Sequence, residues 1–145
     1  EKEKVVTALQ AAGLASIFYK QKNYAKALEW INIYYGLEDA KVMPPLMLCI
    51  KLLEVLSLYG LGQLDLADTK ATNLYKVYFR NKLNDEFYKL LGTVLRKLNH
   101  WHKNNKTDAI EISRLKTLFA KLKDNPNYVM YAQFVEPEEI LDLVK

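Results

Sequence analysis

The chain has 145 residues, half of them hydrophobic and 26% charged, with five glycines, four prolines and one cysteine. That is enough for one domain with a sizeable core. It excludes a low-complexity polymer, an internal disulfide framework and a strongly charged disordered chain. The net charge of +4 is unevenly spread: residues 1–69 carry 7 basic and 8 acidic side chains, residues 70–123 carry 13 and 4, and residues 124–145 carry 1 and 5.

Apolar residues recur at helical spacing along almost the whole chain, and no alternating strand pattern occurs. The expected fold class is all-α, with about six main helices in antiparallel hairpins and a short C-terminal helix. The first helix is expected from Glu3 to Gln21, with Val6, Leu9, Gly13, Ile17 and Phe18 near one face. Asn23 can cap the second, which ends near Gly36 and turns Tyr24 and Ala27 toward the first. Residues 37–43 read as a loop. Pro44-Pro45 suit the first turn of a third helix that runs to Gly60 or Gly62. The fourth is expected from Leu64 to Asn81, with Ala67, Ala71, Leu74, Tyr75 and Tyr78 on one face.

Asn84 is the expected cap of a fifth helix carrying Phe87, Leu91, Val94, Leu98 and Trp101, which Asn104-Asn105 break. Thr107 is the expected cap of the sixth, which turns Ile112, Leu115, Phe119 and Leu122 inward and ends at Asn125-Pro126-Asn127. A helical stretch near Tyr128 to Phe134 and a turn-rich helix from Pro137 follow. Connections of about two to four residues force antiparallel neighbours. The domain therefore divides into hairpins at roughly 3–36, 44–81 and 84–123 and a cap at 127–145.

Asn23-Tyr24-Ala25-Lys26-Ala27-Leu28 returns in weaker form as Gln63-Leu64-Asp65-Leu66-Ala67-Asp68, about forty residues on. Ala27 and Ala67 hold the place where a small residue lets paired helices approach closely. With Ala15 and Phe18 before it, the first copy resembles a tetratricopeptide repeat; Gly62-Gln63-Leu64 and Ala67 carry the likeness into the second. The third hairpin keeps the length without the motif. The layout is also similar to the C-terminal region of large bacterial tetratricopeptide proteins of unassigned role, where degenerate helical pairs close the array. The resemblance implies a non-catalytic protein-interaction scaffold, with a protein or peptide as partner and upstream repeats of the parent chain as a second candidate.

The family lines a concave groove with its first helices. Carried over, those positions are Leu9, Ala12, Ser16, Tyr19 and Lys20, then Cys49, Leu52, Leu56, Tyr59 and Gly60. Ser16, Tyr19, Lys20, Leu52, Leu56 and Tyr59 are the candidate partner-binding set. Most are apolar, so the family's carboxylate clamp is not supported; either the groove is open to an apolar ligand or the C-terminal helices fill it.

No enzyme chemistry is expected. His100-Trp101-His102 places two imidazoles on nearly opposite sides of a helix, where they cannot share a metal. Glu136, Glu138, Glu139 and Asp142 suit the positive end of a helix better than a catalytic cleft. Cys49 sits in an apolar run with no cation beside it and reads as an inert buried thiol. Neither a phosphate-binding glycine loop nor a catalytic triad is apparent, so no cofactor or metal is expected. Asn105-Lys106-Thr107 matches the glycosylation pattern only by chance beside a cap.

The alternative function is binding of nucleic acid or another polyanion through the basic segment 70–123, with Lys89, Arg96, Lys97 and Lys103 as the candidate patch. Lysines coating the outer faces of amphipathic helices are the plainer reading, and docking to an acidic protein surface is a third. No signal peptide or membrane span is found, which makes a cytoplasmic location the expectation. The start at Glu1, without methionine, reads as a fragment of a longer protein, so a removed signal stays open.

Overall fold

The computed structural model describes residues 6–143. They form seven α-helices: α1 (Ala8–Lys20), α2 (Tyr24–Tyr35), α3 (Pro44–Gly60), α4 (Leu64–Leu74), α5 (Glu86–Asn104), α6 (Ala109–Ala120) and α7 (Pro126–Ala132). Short 3-10 turns at Glu38–Val42, Arg80–Lys82 and Pro137–Leu143 join or end them, and no strand occurs among the described residues. The all-α expectation holds for them. None of their helices is long and apolar enough to cross a membrane.

Several boundaries differ from the sequence reading. Thr7 and Gln10 form a reciprocal capping box that starts α1 at Ala8, while the expected turn at residues 3–5 lies outside the described residues. Asp85 caps α5 in place of Asn84, and Asp108 caps α6 in place of Thr107. A carboxylate is favoured there because it faces the positive helix end as well as the free N–H groups. The fourth helix ends its α-helical part at Leu74 and widens into a π turn, Tyr75–Phe79, closed by the Arg80 N–H donating to the Tyr75 carbonyl. In a regular α-helix, residues five apart point to different sides. The widened turn lets Leu74 and Phe79 both bury, with Phe79 edge-on to Tyr88 at 5.1 Å.

Helix α3 is the axis of the core. From Leu48 to Tyr59 every residue is buried except Lys51 and Glu54, and α1, α2, α4 and the C-terminal 3-10 turn all pack on it. Both charges are matched by neighbours. Lys51 lies over the rings of Tyr35 and Tyr78; Glu54 accepts from the Tyr35 hydroxyl at 2.9 Å and pairs with Lys70 at 3.6 Å.

In α1 the orientation is the reverse of the expected one. Its buried residues are Ala8, Ala11, Ala12, Ala15, Ser16 and Tyr19. Leu9 is 61% exposed and Ile17 51% exposed, on the opposite face with Gly13. Small side chains face the rest of the fold because they let α1 approach its neighbours closely.

The same turn closes three helices. Lys22, Gly62 and Asn105 adopt left-handed backbone at φ 61, 78 and 48. Each donates its N–H to the carbonyl three residues back (Tyr19, Tyr59, His102), and the next N–H reaches the carbonyl five residues behind it (Phe18, Leu58, Trp101). Lysine is strained in this backbone, where glycine is not. Lys22→Gly is therefore expected to raise stability by about 0.5–1 kcal/mol, and Gly62→Ala to lower it by about 1 kcal/mol. Urea midpoints measure both; a Lys22→Gly midpoint at or below that of the parent would show that this turn stores no strain.

Candidate functional site

The expected groove is occupied by the chain itself. Ser16, Tyr19, Leu52, Leu56 and Tyr59 are buried, and of the candidate set only Lys20 is exposed. The Ser16 hydroxyl donates to the Phe134 carbonyl at 2.5 Å, and Phe134, Val135, Pro137, Ile140 and Leu141 of the tail are buried. Tyr128 holds Glu138 by a short hydrogen bond, and Lys116 pairs with Asp142 at 2.6 Å. The acidic tail is thus fastened at Glu138 and Asp142 while its last turn packs on α3 and α6. The candidate residues other than Lys20 are therefore not open to a ligand.

A cleft of about 560 Å³ remains where α1 and α3 end, lined by Tyr19, Lys20, Lys22, Tyr24, Tyr59 and Gly60 and by Glu139, Asp142 and Leu143 of the last turn. Burial, then the nearby Tyr24, Glu139 and Asp142, raise the pKa of the Tyr19 hydroxyl, so it stays protonated. Glu139 and Asp142 join this wall, a role that their helix-start position in the sequence did not show. Gly60 is needed there: a Cβ would stand 2.4 Å from the Tyr24 ring.

The groups that could suggest chemistry are separated. No cluster of three metal-ligating side chains exists among the described residues. His100 turns back to Asn104, 3.1 Å away. His102 stacks on Tyr59 at 4.9 Å with the rings 13° from parallel, and burial lowers its pKa, so the stack holds a neutral imidazole. Cys49 is fully buried and its thiol is pushed up to about 12, far from a reactive thiolate.

Five of the thirteen cations in the basic segment are paired with carboxylates. All five ion pairs among the described residues draw their cation from it: Lys70–Glu54, Lys97–Glu111, Lys103–Asp68, Arg114–Glu111 and Lys116–Asp142. Within the candidate patch, Lys103 meets Asp68 at 2.7 Å and Lys97 meets Glu111 at 3.4 Å. Arg96 lies over the Tyr75 ring, 5.0 Å from its centre. Lys89, Arg96 and Lys103 share one face of α5 at seven-residue spacing, and of the patch only Lys89 is left without a carboxylate or an aromatic ring among the described residues.

An exposed apolar stripe lies on the outer face of α1. Leu9, Gly13 and Ile17 follow one another at four-residue spacing, and a Cβ built on Gly13 meets nothing within 4 Å. Comparison of the chain with protein-family models, curated proteins and solved structures finds no match.

Proposed function

We propose that the chain is a tetratricopeptide-like stack of helical hairpins acting as a non-catalytic protein-interaction scaffold. Its open end takes another helical hairpin, an upstream repeat of the parent polypeptide, on the outer face of α1. The observation that carries this reading is the reversed orientation of α1, which buries alanines and presents leucine and isoleucine to solvent.

The spacing of the left-handed turns supports this choice of occupant. Lys22 corresponds to Gly62, so Leu9, Gly13 and Ile17 on α1 correspond to Cys49, Leu53 and Ser57 on α3. All three α3 residues are fully buried. Helix α3 packs against α2 as well as α1 and α4. In the second hairpin this face is covered by the rest of the fold. The first hairpin carries the same face uncovered, and a hairpin of the same kind would complete the stack.

The test uses Gly13. In the chain alone, Gly13→Ala is expected to add about 0.5–1 kcal/mol, because a helix-interior glycine with open space around it contributes only chain entropy. With the preceding segment of the parent polypeptide supplied in trans, hydrogen exchange across residues 8–20 should slow. Leu9→Asp with Ile17→Asp should abolish that protection, and Gly13→Ala should weaken it. Unchanged exchange in the presence of the segment would remove the proposed occupant.

The polyanion reading rests on the shared face of Lys89, Arg96 and Lys103. With Lys103 paired and Arg96 on a ring, a short single-stranded oligonucleotide is expected not to bind even at low salt.

A further inference from the structure

We propose that the groove between α5 and α6 is a docking site for an acidic amphipathic helix of a partner protein. The groove, of about 390 Å³, has a leucine floor of Leu90, Leu115, Leu118 and Leu122. Leu115 is fully buried, while the other three are half-buried and present apolar surface to solvent. Two packed helices offer a seam into which a third can lay its side-chain ridge.

The rim sets the sign of the partner. Lys89 stands on the α5 bank, and Arg114 and Lys121 on the α6 bank. Lys89 and Lys121 have no carboxylate within ion-pair distance among the described residues, and both are exposed. The groove's one acidic lining residue, Glu86, sits in the first turn of α5, where the helix end already favours it. Glu111 is taken up by Arg114 at 2.5 Å and by Lys97 at 3.4 Å. Arg114 and Lys121 are two helical turns apart, about 10 Å along the axis. A complementary helix carries leucine-like anchors at three- and four-residue spacing, with carboxylates on its flanks to meet Lys89 and Lys121.

Other occupants fit less well. No aromatic side chain lines the groove, so bases have nothing to stack on. The chain's own acidic tail is engaged elsewhere, through Glu138 with Tyr128 and Asp142 with Lys116. The site is independent of the proposed seat on α1, since it is built from α5 and α6 alone.

The experiment is fluorescence anisotropy of the intact chain with labelled helical peptides of about 18 residues. One carries leucine anchors with glutamate flanks, a second has the glutamates replaced by lysine, and a third has the leucines replaced by serine. The acidic leucine peptide should bind and the other two should not. Lys89→Glu with Lys121→Glu should weaken binding by about tenfold while circular dichroism stays unchanged, and Leu118→Asn should weaken it further. Leu9→Asp with Ile17→Asp should have no effect here. Equal binding of acidic and basic peptides, indifference to the double charge reversal, no binding of the acidic peptide, or preferential binding of an oligonucleotide would each overturn the proposal.

Discussion

Phe87→Ala is expected to cost about 3–5 kcal/mol of folding stability, a large part of what a domain of this size holds. Phe87 is fully buried near the start of α5. Its ring meets Tyr88 at 5.8 Å, Phe119 of α6 at 6.2 Å, and Tyr128 and Tyr131 of α7 at 5.9 Å and 5.3 Å. Rigid rings cannot collapse into the vacated space as flexible aliphatic chains do, so most of the cavity cost is retained. The edge-on contacts with Tyr88 and Tyr128 add to the loss from buried area. Asp85 ties the same region by accepting from Asn127 at 3.0 Å while it caps α5. Guanidinium unfolding of Phe87→Ala beside Leu118→Ala measures the difference, with the half-exposed leucine expected to cost much less. A loss under about 1 kcal/mol for Phe87→Ala would mean that α7 is not part of a common core.

Much of the helix order was legible in the sequence because periodicity and punctuation are local. Asn23 does cap α2, Pro44 opens α3, and Gly62 takes the left-handed turn. The facing of α1 was not legible, because a pattern search follows the large residues: Leu9 and Ile17 drew the stripe, while the buried face is made of alanines. Burial of the candidate groove residues was not legible either: Ser16 meets Phe134, 118 residues away, a contact that no local pattern records. The pairing within the basic segment was hidden for a related reason. Composition counts cations without their partners, and Asp68 and Glu111, which pair with Lys103 and Lys97, lie on other helices. The groove between α5 and α6 was hidden in the same count, since Lys89, Arg114 and Lys121 acquire meaning only when α6 lays its leucines beside α5.

Ala27→Leu is expected to cost about 1–3 kcal/mol by overpacking. Tyr24 and Tyr35 of α2 both reach α3, at Gly60 and Glu54. Ala27 lies beside that face, turned toward α1, and is fully buried. α1 presents Ala11 and Ala15, also fully buried, so the two helices meet through alanines. Close approach is what these residues provide, and a larger side chain has no void to enter. The helices would have to separate, and the shift would be passed to Tyr24, which packs edge-on to Tyr19 at 5.6 Å. Ala67, equally buried at the corresponding place in α4, should respond in the same direction. The readout is the thermal or urea midpoint of Ala27→Leu beside Gly13→Ala, a change on the open side of the same hairpin expected to move it the other way. A midpoint for Ala27→Leu equal to that of the parent would show that α1 and α2 are not held at alanine distance. The spacing argument that matches the faces of α1 and α3 would then lose its structural basis, and the proposed hairpin seat on α1 would lose its support.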